Sequence, residues 1–161
     1  MVKRETFLEK EAGYSFSTEE RPILEEELKS FYALWGGTET LFSDDDFAKS
    51  VELNFQGRIV AGLFLVGVML GKLDMLPGAG LARNAALVGM NDVKFTAPAY
   101  PSDHLRLHGE LLNKKKTSKG HTLVDWKWRL LKRDGTEVAS GINTELFPKA
   151  MAESLMSSTP L

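Results

Sequence analysis

Four carboxylates fall within the stretch WGGTETLFSDDDFA, Trp35 to Ala48: Glu39, Asp44, Asp45 and Asp46. A carboxylate held beside a reacting bond can carry a proton, a contribution typically worth about 10²–10⁴-fold in rate. Glu39 lies inside the loop, where its plain reading is a solvated side chain. Asp44 suits the N-cap of a short helix over SDDDFAKS. Ser43 with Asp46 resembles a capping box with Asp in place of the usual Glu. Asp45 and Asp46 read as solvated first-turn charges. A different kind of chemistry is open to Gly62, at the start of the apolar run IVAGLFLVGVMLG. Backbone N–H groups at a helix start are unpaired donors at the positive end of the helix dipole. They can stabilise negative charge developing on an oxygen. Gly62 also suits close approach of a sheet to the helix, and the two roles are compatible.

Other residues offer less. His104 and His108 have the spacing of a zinc pair on a helix. HLRLHGELL alternates as a strand, where four residues span about 13 Å, too far for one metal. Both histidines, like His121, read as surface residues. The chain has no cysteine, so disulfides, thiolate metal sites and a thiol nucleophile are excluded. No metal or other cofactor is expected. Trp126 and Trp128 alternate with charges, which points to core or interface packing rather than base stacking.

These residues need elements to position them. The chain has 161 residues, 43% hydrophobic and 26% charged, with a net charge of −2. That suits one globular domain with a real core and argues against nucleic-acid or anionic-lipid partners. The domain spans 1–161, with a core of about 13–147 and a loosely attached tail from 148. The apolar run is too short for a membrane span and reads as a helix of roughly Ala61 to Leu73, buried on every face. The N-terminal residues lack the apolar core of a signal peptide, and a cytoplasmic protein is expected. GYSFST reads as a strand. RPILEEELKSFYALWGG reads as a helix with Pro22 in its first turn, an apolar stripe of Leu24, Leu28, Phe31 and Trp35, and a stop at Gly36-Gly37. The second half is strand-like. Leu105, Leu107, Gly109 and Leu111 share one face, as do Val124, Trp126, Trp128 and Leu130. In the last strand Val138, Ile142 and Leu146 are in phase. One apolar helix and one antiparallel sheet make an α+β fold in which the sheet curls around the helix.

With these phrases in this order, the chain resembles the MaoC-like hotdog family of (R)-specific enoyl-CoA hydratases and acyl dehydratases. The resemblance covers about residues 13 to 147. GRIVAGLFLVGVML is similar to the start of that family's central helix, usually Gly-Arg-Ile-Val-His-Gly. LPGAG, VKFTAPAYPSDHL and DGTEVASG are similar to its later turn, strand and hairpin. The family's active loop reads Ser-Gly-Asp-x-Asn-Pro-x-His-x-Asp. Laid without gaps, its catalytic Asp falls on Gly37 and its catalytic His on Phe42. Its Asn falls on Glu39 and its closing Asp on Asp44.

The resemblance implies a hotdog fold with a long central helix. It implies an acyl thioester of coenzyme A or of acyl-carrier protein as substrate, and water added or removed across C2–C3. Gly62 would donate its N–H to the thioester oxygen. It also implies edge-to-edge pairing, as a homodimer or with another hotdog chain. Three functions remain open: a hydratase or dehydratase with a displaced acid–base set at Glu39 or Asp44, a non-catalytic subunit whose Phe42 and Gly37 line an acyl site, and a thioesterase. The last needs a carboxylate early in the central helix, and AGLFLVGVMLG has none. The run Lys114-Lys115-Lys116 with Lys119 suits either a coenzyme A phosphate or a solvated hairpin tip.

Overall fold

The computed structural model describes residues 5–37, 39–76 and 79–151. Two short strands, β1 (Ser15–Ser17) and β2 (Arg21–Pro22), precede helix α1 (Glu25–Trp35) and the short helix α2 (Asp45–Ser50). A central helix follows as three continuous segments, Gly62–Phe64, a π-helical Leu65–Met69, and Leu70–Asp74. Four long strands complete the chain: β3 (Ala86–Phe95), β4 (His104–Lys116), β5 (Thr122–Lys132) and β6 (Glu137–Phe147). All six strands form one antiparallel sheet in the order β1-β4-β5-β6-β3, with β2 also on β4. The sheet wraps the central helix, which is the expected hotdog arrangement.

The core lies between helix and sheet. Phe64, Met69 and Leu73 are fully buried against Leu105, Leu107 and Leu111 of β4 and Val124, Trp126, Trp128 and Leu130 of β5. The alternation of β4 and β5 therefore faces the helix as their sequence predicts. In β6 Val138 is fully buried as expected, but beyond it the phase is the opposite one. Ala139, Gly141, Asn143, Glu145 and Phe147 point inward, while Ile142 and Leu146 are only partly buried.

Two further expectations change. Pro22 is not in a helix; it lies in β2 opposite His104, and α1 starts three residues later behind an extended Leu24. Nor is the central helix long or buried all round. It runs from Gly62 to Asp74, about 20 Å at 1.5 Å per residue, and Leu63, Gly67, Gly71 and Lys72 are exposed. A side chain on Gly67 or Gly71 would meet nothing within 4 Å. Only Gly62 carries a close approach of the sheet, made by Phe95 of β3.

A charged cluster ties α1 to the central helix. Glu27 accepts from Arg21 (Nη1 to Oε2, 2.9 Å) and from Lys72, and Arg21 also reaches Met69 Sδ. Hydrogen bonding by Arg21 holds the Glu27 carboxyl at about 2, below its ordinary 4.5. A carboxylate depressed by folding adds stability above its unfolded value and loses it as pH falls toward the folded one. Glu27→Gln is therefore expected to cost about 1–3 kcal/mol at pH 7 and nothing near pH 2. Denaturant melts of the two proteins across that range measure the convergence.

Candidate functional site

The site is built where α1, the loop after it and the start of the central helix meet. Gly36 ends α1 in the left-handed region (φ 70°), the conformation a helix stop of this kind requires. Gly37 then turns the chain beneath the Trp35 ring. A Cβ there would sit 2.3 Å from Trp35 Cε3. A single 3₁₀ turn, Thr40–Phe42, brings Phe42 inward. Its ring stacks on Tyr32 (5.8 Å, 12° between planes) and lies 5.9 Å from Trp35. Phe31 joins the same group and meets Phe64 of the central helix edge-on at 5.6 Å.

Tyr32 bridges this aromatic group to the central helix. Its hydroxyl oxygen accepts from Ala61 N–H at 3.2 Å. Burial raises the phenol above its ordinary value, opposed by that same N–H, so it keeps its proton at neutral pH. The apolar stripe of α1 points to Leu28 and Phe31 but passes over Tyr32, because nothing in the sequence pairs residue 32 with residue 61.

Beside the helix start lies a cavity of about 540 Å³. It is lined by Gly62, Leu63 and Leu65 of the central helix, by Phe95 to Ala99, and by Phe42, Leu53 and Phe55. Among the described residues no charged side chain lines it. Its one polar side chain, Thr96, donates its hydroxyl to Glu137 O. Phe95 covers Gly62 closely, its ring 2.6 Å from where a Cβ would be. Leu53, Phe55 and Phe95 carry no motif that marks them in the sequence.

The proposed site residues are thus only partly brought together. Phe42 and Gly62 face the cavity. Gly37, Glu39 and Asp44 are not part of its lining. Glu39 is exposed, and its carbonyl accepts Phe42 N–H at 3.0 Å and Ser43 Oγ at 3.4 Å. Asp44 caps α2, accepting Phe47 N–H at 2.8 Å. Asp45 is not a free surface charge. Its Oδ1 accepts Arg58 N–H at 2.8 Å, while the Arg58 guanidinium forks onto Glu25 at 3.1 and 2.8 Å. This lashes α2 and α1 to the strand-like segment that leads into Gly62.

Elsewhere, His108 Nδ1 meets Ser17 Oγ at 2.9 Å on the outer face of the sheet. Lys114 turns back to the carbonyls of Leu8 and Lys10, so it is not free at the hairpin tip. Among the described residues no group of acidic or histidine side chains is placed to hold a metal ion, and no helix is long and apolar enough to cross a membrane.

Comparison with known proteins accounts for this architecture. Three solved structures illustrate the likeness. (R)-hydratase PhaJ1 from Pseudomonas aeruginosa superposes with a TM-score of 0.68 at 22% identity, over 89% of this chain and 86% of that one. The C-terminally truncated HadBC complex, a (3R)-hydroxyacyl-ACP dehydratase from Mycobacterium tuberculosis, gives 0.63 at 14% identity, over 84% and 96%. A conserved hypothetical protein of the same organism with a double hotdog fold gives 0.77 at 15% identity; 92% of this chain covers 45% of it. At these identities the likeness is one of fold. No curated protein matches the chain. The sequence profile of the MaoC-like domain matches residues 8–126, well over half of the length, and the chain belongs to the MaoC-like dehydratase family.

Proposed function

We propose that this chain binds an acyl thioester, with the apolar acyl part in the cavity beside Gly62 and the carbonyl oxygen facing the start of the central helix. Family membership makes hydration or dehydration, a lyase reaction, the associated chemistry. The observation that carries the reading is the lining itself: apolar walls converging on a helix start, with Gly62 and Leu63 N–H groups next to the one Tyr32 already occupies. The same lining supports a chain without its own acid–base pair. Phe42 fills the side-chain position where a proton carrier would serve, and Glu39 and Asp44 have structural or solvent-facing places. Catalysis would then need a second hotdog chain.

Pairing has a natural surface. β3 is an edge strand, and Leu87, Val88, Phe95 and Leu63 are each more than half exposed beside it. Edge strands with exposed apolar side chains are covered in most proteins. A dimer, homo- or heteromeric, would cover this one and close the cavity mouth. The thioesterase reading has no carboxylate in the central helix to support it before Asp74.

Calorimetric titration with saturated acyl-CoA of increasing chain length tests the binding. Affinity is expected to rise by about fourfold per added CH₂, from about 0.8 kcal/mol each, until the cavity is full. Free coenzyme A is expected to compete poorly. Affinity independent of chain length would rule out the acyl pocket. Turnover of crotonyl-CoA abolished by Glu39→Gln would instead establish the displaced-site alternative.

A further inference from the structure

The tip of one side chain limits what can stand beside Gly62. Phe95, the last residue of β3, and Gly62 both line the cavity. The Phe95 ring points end-on at Gly62. Its Cζ, Cε1 and Cε2 lie 2.6, 2.7 and 2.8 Å from the position a Gly62 Cβ would take. Carbon atoms in contact need about 3.5–4.0 Å, so the ring already fills the space of one methyl group at the helix start. Phe31, Phe42 and Phe64 are held by contacts with other rings. Among the described residues no such contact engages Phe95. Its aim comes from the backbone. β3 slips in register against β6 between Asn91 and Lys94, and then pairs Phe95 with Ala139. Irregularities of this kind re-aim the side chains beside them. Directly after the ring, Thr96 N–H donates to Val138 O at 3.1 Å and Thr96 Oγ1 to Glu137 O at 2.6 Å. The root of the Phe95 side chain is therefore tied to β6.

The donors beside this ring are few. Val60 N–H goes to Ala99 O and Ala61 N–H to the Tyr32 hydroxyl, so Gly62 and Leu63 carry the next N–H groups of the helix start. A thioester oxygen accepting there at about 2.9 Å places its C2 within about 5 Å of the donor nitrogen. The ring tip occupies the same neighbourhood, because it abuts Gly62 itself. On the basis of the acyl reading of the cavity, we propose that Phe95 is a specificity-determining residue that confines the ligand to acyl thioesters unbranched at C2. A C2 methylene presents only hydrogens to the ring. A C2 methyl group needs volume that the ring tip fills, and admitting it overpacks the helix start.

Calorimetric titration of the full chain with pentanoyl-CoA and its isomer 2-methylbutyryl-CoA separates shape from apolar area, since the two acyl groups hold the same atoms. Pentanoyl-CoA is expected to bind about tenfold more tightly, the scale of one misplaced carbon in an apolar site. In Phe95→Ala the two affinities are expected to be equal. Phe95→Leu keeps an apolar side chain for folding but lacks the ring tip, and it is expected to lose the preference too. Leu53→Ala, elsewhere in the lining, is expected to weaken both isomers alike and to keep the preference. Equal affinities in the natural chain, or a preference that persists in both Phe95 variants, would overturn the selection and leave the acyl site standing. Binding of neither isomer would overturn the acyl site, and the selection with it.

Discussion

Gly37→Asp and Phe42→His introduced together are expected to raise hydration of crotonyl-CoA by about 10²–10⁴-fold over the natural chain, the range of general acid–base catalysis. The expectation rests on the course of the loop. Gly36 stops α1, one 3₁₀ turn leads inward, and Asp44 caps α2, so residue 42 already faces the cavity that Gly62 walls. The obstacle is local. A side chain at 37 needs the Trp35 ring to move from its 2.3 Å contact, and Trp35 is 39% exposed, free to swing outward. His at 42 gives up a stack on Tyr32 and gains a titratable nitrogen. Each single variant is expected to stay near the natural level, because residues that act as a unit are not additive. Loss of enoyl absorbance at fixed enzyme concentration measures the gain. A folded double variant with no gain would show that the loop backbone does not hold the catalytic geometry.

Gly141→Ala is expected to have the largest effect on stability, about 3–5 kcal/mol, with a fall in Tm of roughly 10 °C or more. The added methyl would lie 2.5 Å from Trp128 Cζ2 and 2.8 Å from Cε2. Trp128 is fully buried and its Nε1 donates to Asn143 Oδ1 at 2.9 Å. The indole cannot yield outward as Trp35 can. Shifting it overpacks the core and leaves two buried polar groups without partners. Thermal unfolding followed by circular dichroism measures the cost. A change below about 1 kcal/mol would mean that the sheet opens around residue 141 more easily than its packing implies.

The same contrast explains what could be read from the residues alone. β4 and β5 were legible because their apolar residues occur at one parity only, so the pattern has one solution. In β6 apolar residues occur at both: Val138, Ile142 and Leu146 at one, Ala139 and Phe147 at the other. The larger aliphatic set suggests the wrong face. The true inner face carries Gly141 to admit Trp128, Asn143 to receive its N–H, and Glu145, none of which looks like core in isolation. β2 escaped notice because a proline at a two-residue edge pairing resembles a helix start. Gly62 and Phe42 line the cavity, and the order of phrases around them points to both. Tyr32, Phe95 and Leu53 are not marked in this way, since they reach the cavity region from distant segments by tertiary contact. The role of Asp45 was hidden likewise: its partner is a backbone N–H thirteen residues away.

The edge strand β3 is not straight. Its register on β6 slips between Leu87 and Gly89 and again between Asn91 and Lys94, and Asp92 takes a left-handed φ of 51°. Each slip bends the strand and turns its free N–H and C=O groups out of line. An arbitrary extended peptide or a flat aggregate would meet bonding groups at only part of the edge, whereas a strand with matching bends could satisfy all of it. Were another chain to pair here, the irregular backbone would favour a strand that shares its curvature over an unrelated one.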